Sequence, residues 1–66
     1  MDVKRYAEAV KDSGLKKCYI ALKLGMSYQS YLNRENGKSE FTASEMAQLK
    51  VLLNLSNKQV AEIFLS

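Results

Sequence analysis

The sequence contains no histidine, no proline and no tryptophan, and its one cysteine is Cys18. A lone cysteine excludes an intramolecular disulfide framework, and the missing histidine excludes the Cys/His spacing of zinc sites. No run approaches the roughly 18 apolar residues of a transmembrane helix. The charged residues among the first eight positions are unlike a signal peptide. These absences predict a soluble, cytoplasmic protein that does not bind a membrane.

The chain also lacks the residue patterns of enzymes. It has no nucleophile–base pair, no cluster of metal ligands and no phosphate-binding loop, so we expect no catalysis, no cofactor and no small-molecule substrate. At 66 residues, positions 1–66 are expected to form a single domain. A chain this short buries only about 60% of its unfolded surface, and its core must therefore pack well.

Positive charge is concentrated in the first part of the chain. The formal net charge is +3, but eight of the ten basic residues lie at positions 4–38, together with only three acidic residues. Positions 39–66 hold two basic and three acidic residues. Such asymmetry is typical of proteins that bind a polyanion, although chance clustering on a solvated surface explains it equally well.

Apolar residues recur with a helical period, and no segment alternates as a half-buried strand does. Capping and stop residues divide this pattern into short helices. The first follows Asp2, the second covers about 16–24, and the third runs from Ser27 to about Glu35. Two capping boxes begin the last two helices: Thr42 with Glu45, and Ser56 with Gln59. The sequence therefore predicts an all-α fold of five helices joined by tight turns.

Residues 17–31 meet several requirements of a helix-turn-helix at once. Ala21 is small enough for two helices to cross closely, and Gly25 tolerates the left-handed φ of the turn. Ser27 can cap the helix that follows. Apolar residues that would hold both helices to the core lie at helical offsets: Ile20, Leu24, Met26 and Tyr31. Helices 2 and 3 are therefore predicted to form the helix-turn-helix.

Further residues extend this pattern over nearly the whole chain: Leu15, Ile20-Ala21, Leu24-Gly25-Met26-Ser27, Tyr31 and Asn36-Gly37-Lys38. Together they resemble the phage repressor and Cro-type helix-turn-helix regulators, the xenobiotic-response-element-like family. The run 37–42, followed by Glu45, resembles the short regulators of Gram-positive phages and mobile elements. The resemblance implies a compact lambda-repressor-like DNA-binding domain, in a bacterial cell or a phage-infected host.

The same resemblance implies where DNA would bind. The recognition helix, about 27–35, would enter the major groove with its N-terminal part facing base edges. The expected base contacts are Ser27, Tyr28, Gln29 and Asn33. Gln29 is the main candidate because its amide can bond both N6 and N7 of adenine. The expected phosphate contacts are Lys16, Lys17, Arg34 and Lys38.

Two positions depart from the family. Lys17 stands where the family often has a glutamine that touches a phosphate, and Arg34 stands where it usually has an aliphatic residue. Either the Arg34 stem packs while its head reaches solvent, or the helix is rotated and Leu32 takes the buried role. The choice between Leu32 and Asn33 as the outward residue stays open.

The resemblance implies a sequence-specific transcriptional regulator, a Cro-like repressor of a phage or mobile element. Because one small domain makes few base contacts, we expect a homodimer on a palindromic double-stranded operator with half-sites about 34 Å apart. Its contact surface is expected near Leu55, Phe64 and Leu65, unless these residues close the core. Two alternatives remain: an excisionase-like or antitoxin-like accessory DNA-binding protein, and an antirepressor-like module that binds a protein.

Overall fold

Five helices joined by short turns make up residues 1–65, the part of the chain that the computed structural model describes. In chain order they are α1 (Val3–Ser13), α2 (Lys17–Leu24), α3 (Tyr28–Glu35), α4 (Ala43–Leu52) and α5 (Asn57–Phe64). Residues 1–65 contain no β-strand. The Cα radius of gyration is 10.5 Å. The prediction of a small all-α fold with five helices is confirmed.

Side-chain caps determine where most of these helices begin. Asp2, Ser27, Thr42 and Ser56 each accept a hydrogen bond from the backbone N–H three residues later. Both predicted capping boxes are complete, since the Glu45 and Gln59 side chains bond back to the N-cap N–H groups. Helix α2 differs, because its N-cap residue, Lys16, makes no side-chain cap. The Tyr19 N–H bonds to the Lys16 carbonyl at 3.1 Å, which leaves the N–H groups of Lys17 and Cys18 without a side-chain cap.

A short turn at Gly25 joins α2 to α3. Gly25 has a φ of 71°, the left-handed region that strains any residue with a Cβ atom. The N–H of Met26 then bonds to the Ala21 carbonyl at 3.1 Å, which closes the turn. Helices α2 and α3 pack against each other. The expected helix-turn-helix geometry follows from these local features.

Aromatic rings form the centre of the core. The Phe41 ring centroid lies 5.4 Å from that of Tyr6, 6.3 Å from that of Tyr31 and 6.1 Å from that of Phe64. Such tilted pairs add to the stabilisation that burial alone gives. The four rings come from α1, α3, α5 and the segment before α4, so one cluster connects most of the fold.

Two of the three residues expected on a dimer surface lie in the core instead. Leu55 and Phe64 are 8% and 7% exposed, so these two residues close the core. Leu65, in contrast, is 78% exposed. Of the three residues expected on a dimer surface, Leu65 is thus the one that reaches solvent. The apolar face of α5 explains the difference, because Ile63 and Phe64 turn inward together.

The hydroxyl groups of Tyr6 and Tyr31 meet inside this core at 2.8 Å. Both side chains are fully buried. Burial raises the pKa of Tyr31 to about 12, and burial together with the bond to Tyr31 raises the pKa of Tyr6 as well. At neutral pH both phenols therefore keep their protons, and one hydroxyl donates to the other.

Removing one hydroxyl of this pair should destabilise the protein more than removing both. Tyr6→Phe leaves the Tyr31 hydroxyl buried without a partner, and we expect a loss of about 1–3 kcal/mol in the free energy of unfolding. The double variant Tyr6→Phe/Tyr31→Phe should regain most of that loss. Urea denaturation measures both values, and strictly additive losses would contradict the paired arrangement.

Alkaline pH should unfold the protein through the same residues. An unfolded tyrosine loses its proton near pH 10, whereas Tyr31 in the folded protein keeps it up to about pH 12. Stability should therefore be unaffected below pH 10 and should fall as the pH rises from 10 to 12, by about 2–3 kcal/mol for this residue. Denaturation at a series of pH values tests this, with Tyr6→Phe/Tyr31→Phe as the control that lacks the fall.

Candidate nucleic-acid interface

Ser27, at the start of α3, is occupied by its role as a cap. Its Oγ accepts a hydrogen bond from the Ser30 N–H at 3.2 Å and donates one to the Ser30 Oγ at 3.0 Å. A hydroxyl has a single proton. In this arrangement Ser27 can approach a base only as an acceptor, which makes it the weakest of the four predicted base contacts.

The exposed face of α3 carries two amide side chains that bond to each other. The Gln29 Nε2 donates to the Asn33 Oδ1 at 3.2 Å. Residues four positions apart lie on the same helix face, where Gln29 is exposed and Asn33 is half-buried. Tyr28 precedes them and is 49% exposed. Three of the predicted base contacts are thus available at the surface of one helix.

The opposite side of α3 is turned to the core. Tyr31 and Glu35 are buried, and Leu32 packs against the hydrophobic core. The two residues between which the sequence could not choose are both half-buried. Asn33 shares the face of Gln29, and Leu32 packs against the core.

The Arg34 guanidinium bonds to another residue of the protein, and its side chain is largely buried. Its Nη1 lies 2.6 Å from the Glu45 Oε2 and 3.5 Å from the Met26 sulfur. The Arg34 side chain is 24% exposed, and its Nε is buried without a hydrogen-bond partner. The aliphatic stem of Arg34 packs, as one of the two alternatives predicted. Its guanidinium bonds to Glu45, however, instead of reaching solvent. A sequence pattern cannot reveal this, because the partner lies across the turn on another helix.

Lys17 combines a buried partner with an exposed position. Its Nζ lies 3.2 Å from the Glu35 Oε2, and its side chain is 48% exposed while that of Glu35 is 7% exposed. An ammonium group has three protons to donate, so the bond to Glu35 leaves donors for a second anion. Lys17 also begins α2, whose N-terminus has no side-chain cap. The positive end of the helix dipole adds to the lysine charge there.

A surface depression of about 530 Å³ lies where α1 ends and α2 and α3 begin. Three lysines line it, Lys11, Lys16 and Lys17, together with Tyr28. Lys11 was not among the phosphate contacts predicted from the sequence. Its place in the last turn of α1 becomes informative only once α1 is seen to pack against α3.

Within residues 1–65, Lys16 and Lys38 are the predicted phosphate contacts whose ammonium groups have no ion-pair partner. Both are exposed, and among residues 1–65 no acidic group lies within ion-pair distance of either. Lys38 lies just beyond Asn36 and Gly37, which follow α3, and its N–H bonds to the Asn33 carbonyl at 2.8 Å. Both ammonium groups are therefore available to an anion from outside the molecule.

The part of the chain that the structure describes offers neither a metal site nor a membrane-spanning helix. Residues 1–65 contain no group of three or more Cys, Asp or Glu side chains able to hold a metal ion. None of the five helices is long and apolar enough to span a membrane.

The Lys17–Glu35 ion pair is expected to contribute to the stability of the fold. Lys17→Met leaves the Glu35 carboxylate buried without its cation, and we expect a loss of about 1–3 kcal/mol in the free energy of unfolding. Lys17→Met/Glu35→Gln removes that charge and should recover most of the loss. Chemical denaturation of the variants at neutral pH decides this, and a double variant less stable than Lys17→Met would refute it.

Comparisons with known proteins assign no family to this chain. No family model matches it, and no curated protein and no solved structure matches it either. Its function is therefore inferred from the residues described above.

Proposed function

We propose that this protein is a sequence-specific regulator of transcription that binds double-stranded DNA with α3 in the major groove. The observation that carries the proposal is the amide pair of Gln29 and Asn33, exposed on the helix that follows a helix-turn-helix turn. The exposed side chains of Lys16 and Lys38 have no ion-pair partner within residues 1–65. The resemblance of the sequence to phage repressor and Cro-type regulators supports the same function.

The amide pair is suited to read an adenine. The Gln29 Nε2 has two protons, and one of them is used on the Asn33 Oδ1. The second can be donated to adenine N7 while the Gln29 Oε1 accepts from N6. The Asn33 Nδ2 stays free to donate to an acceptor on a neighbouring base pair. Because the two amides hold each other, less side-chain freedom is lost when DNA binds.

Phosphate contacts are assigned to Lys16, Lys17 and Lys38. Contacts of this kind set the position of the helix on the duplex and carry no sequence information themselves. The uncapped N-terminus of α2 adds backbone N–H donors beside Lys16 and Lys17, an arrangement that favours phosphate. Arg34 is omitted from this set because its guanidinium is bonded to Glu45.

Two copies of the chain are proposed to bind a palindromic operator, with repression by occupancy of the site. The Cα atoms extend over 28 × 23 × 20 Å, and half-sites on one face of DNA are about 34 Å apart. Two copies at that spacing meet over a narrow surface only. Dimerisation should therefore accompany DNA binding rather than precede it.

A protein-binding module is the second candidate, because one apolar groove stays open. It lies between α2 and α4 and is lined by Leu24, Ala47, Val51 and Leu52. Val51 is 82% exposed. An antirepressor-like protein could use such a groove, and its binding would change little with salt, whereas binding to DNA weakens steeply as salt rises.

Replacing Gln29 should relax sequence preference without changing the salt dependence of binding. Gln29→Ala removes one bidentate base contact, so discrimination at one base pair should fall by about 1–3 kcal/mol. Binding is measured on a preferred duplex and on duplexes with single base changes, at several salt concentrations.

Lys38→Ala is the matched control for this experiment. It should weaken binding to every sequence alike and reduce the slope of log K against log salt by about 0.9. Lys38 is a better control than Lys17, whose loss also leaves Glu35 buried and unpaired. If both variants lose affinity equally and without regard to sequence, the assignment of α3 to the groove is wrong.

A further inference from the structure

We infer that Arg34 and Glu45 act together as a specificity-determining tether, which sets the orientation of the base-reading face of α3 and does not touch the DNA. This inference rests on the proposed function and deepens it. It gives Arg34 a role opposite to that of a phosphate contact, which its position and charge suggest at first. The two roles predict different changes on mutation.

The two carboxylate oxygens of Glu45 accept hydrogen bonds from different donors. Its Oε1 accepts from the Thr42 N–H at 2.9 Å and completes the capping box of α4. Its Oε2 accepts from the Arg34 Nη1 at 2.6 Å. The arginine is therefore attached to a carboxylate that is itself fixed to the first turn of α4.

The Arg34 side chain contacts one residue that precedes α3 and one residue on α4. It leaves α3 next to Asn33, and its Nη1 reaches both the sulfur of Met26, just before the start of α3, and Glu45 on α4. One guanidinium thus connects both ends of the recognition helix to a neighbouring helix. A rotation of α3 about its axis would break both contacts.

The Arg34 and Glu45 side chains are poorly accessible to a phosphate from solvent. The Arg34 and Glu45 side chains are only 24% and 16% exposed. The Arg34 Nε is buried with no partner, an unfavourable arrangement that an aliphatic residue would avoid. A phosphate could recruit this guanidinium only by displacing Glu45, which would leave a carboxylate largely buried and unpaired. Exposed lysines nearby offer phosphates an easier contact.

The consequence concerns Gln29 and Asn33. Both belong to the same short helix, so the roll of α3 sets the direction of both amides at once. Bidentate contact with an adenine edge depends on that direction, whereas attraction between lysines and phosphates changes little with a small rotation. Loss of the tether should therefore reduce discrimination between bases more than it reduces overall attraction to DNA.

Two variants test this from opposite ends of the tether. Arg34→Met keeps the long apolar stem and removes the guanidinium. Glu45→Gln keeps one acceptor oxygen for the capping box, which tolerates glutamine at this position. Its amide N–H₂ then faces the Arg34 donors, so the tether is lost while the helix start is preserved. Lys38→Met is the control for loss of a phosphate contact.

Each protein is titrated with a preferred duplex and with a duplex changed at the base pair that Gln29 reads, over a range of salt. We expect Arg34→Met and Glu45→Gln each to reduce the ratio of the two affinities about tenfold, within the value of one bidentate contact. The salt slope should stay at its wild-type value. Arg34→Met/Glu45→Gln should be no worse than either single variant, because both act through one contact.

The outcomes separate this inference from the proposed function. If the wild type binds no duplex in a salt-dependent way, the proposed function fails. If the wild type binds but Arg34→Met lowers the salt slope by about 0.9 and keeps base discrimination, Arg34 is a phosphate contact and the tether is refuted. Glu45→Gln decides the matter even where Arg34→Met does not fold, since a phosphate role predicts unchanged discrimination for Glu45→Gln.

Discussion

The hydrogen bond between the buried hydroxyls of Tyr6 and Tyr31 is the constraint that holds the inner side of α3 in the core. It fixes Tyr31 inside the aromatic core, where the Phe41 ring packs against both tyrosines. A helix with Tyr31 held inward presents Gln29 on its outer side. The polar side of α3 therefore faces outward, while its inner side is held by a polar contact in the middle of the core.

Two ion pairs surround that helix and differ in what they leave exposed. The Lys17–Glu35 pair buries the carboxylate and leaves the ammonium half exposed, so the lysine can still meet an anion. The Arg34–Glu45 pair buries most of both partners. Residues of the same charge on the same small domain thus have different roles in the proposed function: Lys17 contacts DNA and Arg34 holds the helix.

Local chemistry made much of this fold predictable from the sequence. The caps at Asp2, Ser27, Thr42 and Ser56 and the left-handed turn at Gly25 depend on residues within a few positions, and each was found where expected. Helix boundaries and the exposure of Gln29 follow from such signals together with apolar periodicity.

What the sequence did not reveal depends on contacts between distant segments. The pairing of Arg34 with Glu45 crosses a turn, and that of Lys17 with Glu35 joins different helices. The resemblance to phage regulators implied one role, contact with a phosphate, for all four basic residues: Lys16, Lys17, Arg34 and Lys38. Their separation requires the distances and burial that only tertiary structure supplies.

Selection of bound duplexes from a random pool tests the central claim most directly, that α3 reads base edges in the major groove. The proposed function predicts enrichment of a palindrome whose half-sites are about one helical turn, or 34 Å, apart. It also predicts an adenine in each half-site whose preference disappears when the selection is repeated with Gln29→Ala. A pool that shows no enrichment, or the same enriched sequence with both proteins, would contradict the claim.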